Sequence, residues 1–196
     1  MGPRVSARLL RAADYRRVRW RNGGGWTLEL ASSPEGADAF DWRISIAEIE
    51  SDGPFSVFAG CDRHIALLDG SGMQIEFETH APLRLEQRLK FFGFSGDDAA
   101  FGRLLGGPVR DFNVIVRRDA CTAEVLHRPL VGPMVFLADP AVTWLVYLLG
   151  GQAALKDVAD MRLEPGDALL LEPDAATRNR VLSGGGEVVL VKLTRR

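Results

Sequence analysis

The residues able to do chemistry are few and widely spaced. His64, His80 and His127 are the three histidines, and none stands one residue from another, the separation at which two imidazoles leave a strand on the same side to meet a metal. No Cys-x-x-Cys or His-Glu-x-x-His arrangement replaces that pairing. Cys61 lies three residues before His64, which on a strand sends the two side chains to opposite faces, so a thiol–imidazole pair is not expected. Asp62 with Asp111, or Glu29 with Glu48, has the composition of an acid–base dyad, but salt bridging or solvation is the commoner fate of such carboxylates. Asn22-Gly23-Gly24-Gly25 invites a phosphate-loop reading. No Lys-Ser/Thr follows it, and Trp26 to Ala31 alternates as a strand does, so tight backbone passage is the simpler role. The expectation is a site without metal or cofactor.

More telling are polar residues that strand alternation places on a shared face: Arg43 with Ser45, and Asp111 with Asn113 and Arg117. If such a face lines an interior, arginine is suited to grip a carboxylate through two parallel hydrogen bonds, with Ser45 and Asn113 orienting the remainder. The competing readings are a solvent-facing exterior and an internal ion pair, with Arg43 or Arg63 held by a nearby acid.

Strands must carry these residues. Trp26, Leu28 and Leu30 alternate with Thr27 and Glu29, and Trp42, Ile44 and Ile46 with Arg43, Ser45 and Ala47. Turn clusters at 32–38, 51–54, 69–72, 93–98 and 106–108 punctuate the chain as in an all-β protein. The stretch from Ser6 to Trp20 reads as an extended arm or a short helix. Ile65 to Leu85 and Trp144 to Leu163 resemble one another at an offset of about 80 residues, and each copy is followed by a Gly-Asp turn, Gly96-Asp97 and Gly166-Asp167. Two β-barrels in one chain follow: residues 1–110, an N-terminal barrel with its arm, and residues 111–196.

Composition limits the partners. The 196 residues are 46% hydrophobic and carry a net charge of -2 from interspersed acids and bases, which is globular and leaves no footprint for nucleic acid or anionic lipid. No apolar run approaches the roughly 20 residues of a membrane helix, and no signal-peptide core precedes Trp20. Cys61 and Cys121 are expected as reduced thiols in a cytoplasmic protein, with a bridge between them open but unforced. A small-molecule partner is expected, and homodimerisation is compatible with every reading.

Several linked motifs resemble the HutD/Ves family. They are Trp20-Arg21-Asn22-Gly23-Gly24-Gly25-Trp26-Thr27-Leu28-Glu29, Trp42-Arg43-Ile44-Ser45, Asp52-Gly53-Pro54-Phe55-Ser56-Val57-Phe58, Gly60-Cys61-Asp62-Arg63 and Leu67-Leu68-Asp69-Gly70. Gly107-Pro108, Asp111-Phe112-Asn113-Val114 and Arg117-Arg118 continue the match, with Ile115 where many relatives carry methionine. The resemblance implies a bicupin, two cupin-type barrels without the metal-binding histidines. It also implies binding of urocanate or N-formylglutamate as a brake on histidine utilisation, through Asn22, Glu29, Arg43, Ser45, Ser56, Asp62, Arg63 and Asn113. It further places Phe55 and Phe58 in packing roles and allows Asp62 and Arg63 to pair internally. The alternative is a metal-independent cupin enzyme, an isomerase or hydrolase of a small acid, using Glu29, Asp62 or a histidine as acid or base.

Overall fold

A computed structural model describes residues 7–156, 158, 161–173 and 179–196, and these form strands joined by turns and a single 3-10 turn. In chain order the first strands are β1 (Ala7–Leu10), β2 (Arg16–Arg19), β3 (Gly25–Ser33), β4 (Trp42–Ile49), β5 (Gly53–Pro54) and β6 (Cys61–Asp69). Next come β7 (Met73–Phe77), β8 (Leu83–Leu85), β9 (Phe92–Ser95), β10 (Ala100–Leu104) and β11 (Val109–Arg117). The last are β12 (Cys121–Phe136), β13 (Val142–Leu155), β14 (Arg162–Leu163), β15 (Ala168–Leu171) and β16 (Arg180–Arg195). No helix among the described residues is long and apolar enough to cross a membrane.

Tyr15–Cys121 form one compact unit, and residues 7–14 join Thr122–Arg196 in the other. A boundary between residues 110 and 111 would cut β11, whose ladders with β4 and β6 continue to Val116 and Arg117, so the division falls after Cys121. The opening stretch is extended: β1 pairs with β15 and β2 with β3, so the arm is shared between the units.

The unit spanning Tyr15–Cys121 has a six-stranded sheet, β2-β3-β4-β11-β6-β9, and a four-stranded one, β5-β10-β7-β8. Odd-numbered Ala47, Ile49, Ile65, Leu67 and Val109 of the first sheet meet Met73, Ile75, Leu85 and Ala100 of the second in one core. Even-numbered Ile44, Ile46, Ala66, Phe112 and Val114 are at most 1% exposed as well. Both faces are therefore buried along the middle of the sheet, while its ends stay open to solvent, as at Asp62 and Arg117.

The other unit is a single sheet, β1-β15-β13-β16-β12, with β14 added to β13. Its core gathers Val146 and Leu148 from the first half of β13 and Ala153 and Leu155 from the second. That change of parity is made by a register shift between Leu148 and Gly150 opposite β16. Gly151 sits there at φ +93°, where a Cβ would lie 2.0 Å from the Gly185 carbonyl oxygen. The all-β class is as expected, while hydrogen bonding closes none of the three sheets into a complete barrel among the described residues.

The two Gly-Asp turns found by internal repetition do equivalent work. Asp97 accepts from the Gly60 amide at 2.8 Å, the Ser95 hydroxyl at 3.0 Å and Arg118 at 2.7 Å, which hold its carboxyl down at about 2. Asp167 accepts from the amides of Ala12 at 2.9 Å and Glu164 at 3.1 Å and from Arg11 at 2.8 Å. Burial pushes the Asp167 carboxyl up, but these three donors outweigh it and leave it below the ordinary range. In each unit a carboxylate in the turn ties down a distant segment of chain.

Gly151→Ala is expected to cost at least about 1–3 kcal/mol, the range for overpacking, measured by urea unfolding. Gly150→Ala, where a Cβ meets nothing within 4 Å, is expected to be close to neutral. Equal losses in the two variants would contradict the bulge assignment.

Candidate functional site

A cavity of about 610 Å³ opens within the unit spanning Tyr15–Cys121, in the size range of small-molecule sites. Its floor is the odd-numbered face of three adjacent strands. Ile115 of β11 pairs with Arg43 of β4 on one side and Arg63 of β6 on the other, so two arginines flank one isoleucine in a single row. With strands about 4.8 Å apart, their backbones stand about 10 Å from each other. In the next row Asn113 lies beside Ser45. Arg63, Ser45 and Asn113 are 5%, 4% and 4% exposed.

The walls come from two connections. The turn between β2 and β3 brings Trp20, Arg21 and Asn22 to the rim, where Trp20 Nε1 donates to Thr27 Oγ1 at 2.9 Å and the Gly24 amide donates to Asn22 Oδ1 at 3.0 Å. Gly25 ends this turn because a Cβ there would lie 2.3 Å from the Glu48 carbonyl oxygen. A strand follows and not a helix, so the glycine run is a close-packed hairpin turn and not a phosphate loop. The segment after β5 brings Phe55, Ser56 and Phe58. The Phe58 ring lies 5.0 Å from the Arg43 guanidinium carbon and 5.6 Å from that of Arg63, with Phe40, Phe55 and Phe94 supplying further faces at 4.8 to 5.1 Å.

The arginines are short of partners. Arg63 donates to Asn113 Oδ1 at 2.9 Å and weakly to the Ser56 carbonyl at 3.4 Å, while its Nε is buried and unsatisfied. The Arg43 Nε is likewise buried without an acceptor, and its guanidinium makes no hydrogen bond among the described residues. Burial lowers both: Arg43 by an amount partly offset by Glu29, and Arg63 to about 10 despite Asp111, with Arg43 pushing it further down. Arg21 adds positive charge at the rim, where Arg19 is paired with Glu50 at 2.7 Å, and no carboxylate lines the cavity among the described residues. One buried and one half-buried cation facing an aromatic-walled space, each with a buried spare donor and with no counter-charge among the described lining, can bind an anion with a flat hydrophobic body.

Behind Asn113 lies Asp111, 0% exposed. Asn113 Nδ2 donates to Asp111 Oδ1, and Asp111 Oδ2 has no partner. Burial pushes this carboxyl up to about 7, against the pull of Arg63 and Asn113.

The expected site residues divide accordingly. Asn22, Arg43, Ser45, Ser56, Arg63 and Asn113 line the cavity, although Ser56 meets Arg63 through its backbone carbonyl and not its hydroxyl. Glu29 shares the row of Ser45 but is taken up by Arg16 at 3.1 Å and Ser32 at 3.2 Å, outside the lining. Asp62 points away from the cavity and pairs with Arg118 at 2.6 Å, so the Asp62–Arg63 pair does not form: neighbours on a strand face opposite ways. Arg117, expected to share a face with Asp111 and Asn113, lies toward solvent with Asp41 and Asp119. Phe55 and Phe58, expected to pack, do so as cavity walls. Trp20 and Thr27 were missed as lining although they stand in the glycine motif, since the signal gave their neighbourhood but not the direction of the turn.

The other reactive groups lie elsewhere. Cys61 and Cys121 are buried and not joined in a disulfide, and burial raises Cys61, which packs with Phe40, Phe58 and Ile115. His64, His80 and His127 do not line the cavity, and no group of three metal-ligating side chains assembles among the described residues. Glu48 is engaged by Arg17 at 2.6 Å.

Comparison with known proteins follows from this geometry. The HutD family model matches residues 12–190. An uncharacterised 21.2 kDa protein in the hutC 3′ region of Pseudomonas putida is 49% identical over 108 residues, 55% of this chain, which spans 56% of that relative's length. Protein Ves of Cronobacter sakazakii is 33% identical over 176 residues, 89% of this chain and 92% of that protein. The structure of HutD from Pseudomonas fluorescens SBW25, in a formate condition, superposes with a TM-score of 0.82 at 32% identity, over 97% of this chain and 99% of that one.

The raised Asp111 carboxyl has a consequence for stability. Between about pH 4, where an unfolded aspartate ionises, and about pH 7 the folded chain holds a proton that the unfolded chain has lost, so stability falls as pH rises through that window and levels above it. Asp111→Asn is expected to flatten this decline and to gain on the unaltered protein as pH rises, by an amount bounded at a few kcal/mol. Urea unfolding at the two ends of the window measures it, and parallel declines in both proteins would remove Asp111 as the cause.

Proposed function

The chain belongs to the HutD family, and from that membership we propose that it binds a small carboxylate in the cavity, with Arg43 and Arg63 as the principal grips and without turning the ligand over. The observation that carries this reading is the pair of arginines flanking Ile115, Arg63 buried and Arg43 half-buried, each with a buried unsatisfied Nε and facing a cavity whose described lining holds no acid. An isolated buried cation costs several kcal/mol in desolvation, and an anion docking there would offset that cost. Phe58 between the two cations and Trp20 at the rim suit a flat or short-chain body attached to the carboxylate.

Urocanate and N-formylglutamate are the ligands proposed, both carboxylates of histidine breakdown. The position of the Pseudomonas putida relative in the hutC 3′ region supports that choice. A regulatory role in histidine utilisation follows as part of the same proposal, the protein acting as a reversible sink or sensor of an intermediate. The architecture is read as two cupin-type barrels, supported by the repeated Gly-Asp turns and by the two-sheet core of the cavity-bearing unit. The enzyme alternative has less support, since Glu29, Asp62 and the histidines, the groups it would need, do not line the cavity.

Calorimetric titration of urocanate and of N-formylglutamate is expected to give saturable binding with the ligand recovered unchanged. Arg43→Ala and Arg63→Ala are each expected to weaken it roughly 10- to 150-fold, the equivalent of about 1.5–3 kcal/mol for a hydrogen bond to a charged group. Asp62→Ala, on the opposite face, is expected to leave affinity unchanged. Absence of heat with both acids, or conversion of either, would defeat the proposal.

A further inference from the structure

The cavity's cations are linked to a group that does not touch the cavity. Asp111 is fully buried on β11, and its connection to the site is the Asn113 side chain, which donates through Nδ2 to Asp111 Oδ1 and accepts through Oδ1 from Arg63 at 2.9 Å. This is the amide orientation that serves both neighbours, since the reverse would set an oxygen against a carboxylate and an NH2 against a guanidinium. Asp111 thus determines which end of Asn113 meets Arg63. Its second oxygen, Oδ2, is buried with no partner, an atom that can carry a proton without disturbing the bond at Oδ1.

We propose, on the footing of the carboxylate-binding reading above, that Asp111 takes up one proton from solvent when an anion docks against Arg63, so that occupancy of the cavity is linked to pH through the Asn113 bridge. Arg63 is the cation whose field favours the Asp111 carboxylate, and a bound anion cancels that field while adding a negative charge of its own. Burial already holds this carboxyl at the edge of titration near neutral pH, so a modest further push protonates it. No covalent step is involved: the anion and one proton enter together and leave together.

Among the described residues the surroundings supply no competing titration. Opposite Asp111, β4 places Ala47 and β6 places Leu67, and the second sheet contributes Met73, Ile75 and Leu85 to the same core, all apolar. Beyond these, Arg43 acts on Arg63, Glu29 and Arg16 act on Arg43, and Cys61 acts on both cavity arginines. His64 projects from the other face of β6, and burial lowers it. Arg63 itself, at about 10, keeps its charge through the neutral range.

The test is calorimetry of sodium formate and N-formylglutamate binding from about pH 6 to about pH 8.5, in buffers of different ionisation heat, whose difference counts protons taken up. Expected is net proton uptake on binding, with affinity weakening toward tenfold per pH unit above neutrality, the limit for one linked proton. Asp111→Asn is expected to bind with pH-independent affinity and no uptake. Saturable binding by the unaltered protein with no proton uptake would overturn the coupling and leave the carboxylate reading standing, and this arm needs no variant to fold. Failure of both probes to bind at any pH would overturn the two together.

Discussion

Two like charges flank Ile115 on the inner face of a sheet, and much of the surrounding structure is arranged around that fact. Guanidiniums on Arg43 and Arg63 cannot pair with each other, and neither meets a carboxylate directly. Aromatic faces, worth about 0.5–2 kcal/mol each, make the burial of Arg63 and the partial burial of Arg43 tolerable, and Arg63 has in addition the amide of Asn113 in front of a buried acid. A solvent-exposed arginine would need none of this. Apolar residues in both places would leave no buried Nε without an acceptor there.

The sheet itself makes the arrangement stiff. Both of its faces carry packed side chains, so turning over β4, β6 or β11 would exchange two differently shaped buried sets and carry Arg43, Arg63 or Asn113 away from the cavity. The hairpin turn at Trp20–Gly25 and the segment carrying Phe55 to Phe58 supply the walls, and both are held by backbone contacts: Gly25 against Glu48, and Phe58 with Gly96 at 2.7 Å. Asp97 then ties the Gly60 end of that segment to Arg118, so a surface carboxylate steadies the chain that positions Phe58. Asp167 does the equivalent for the arm that carries Arg11. The same device in both units gives the internal repeat a physical meaning beyond similarity of sequence.

Strand alternation made much of this legible in advance. Period two places Arg43 with Ser45 and Asp111 with Asn113 whatever the fold, because successive side chains on a strand must alternate. The same rule separates Cys61 from His64 and, applied to adjacent residues, should have set Asp62 apart from Arg63. The turns at Gly96-Asp97 and Gly166-Asp167 were readable because glycine and aspartate serve tight turns for definite reasons. Glu29 was harder: its row is the right one, but Arg16 on the neighbouring strand claims it, and the β2–β3 register that brings them together is a pairing between strands.

What the amino-acid order determined by itself is which side chains share a face, where the chain turns, and the absence of paired metal-binding histidines, all consequences of local geometry within a few residues. What only the tertiary structure decided is which face encloses the cavity, that Arg43 and Arg63 come to flank Ile115, that Asp111 sits behind Asn113 with one oxygen unsatisfied, and that Ala7–Leu10 pair with β15. Those depend on the lateral order β4-β11-β6 and on the register of distant strands, set by burial of two hydrophobic faces at once and encoded in no short stretch of the chain.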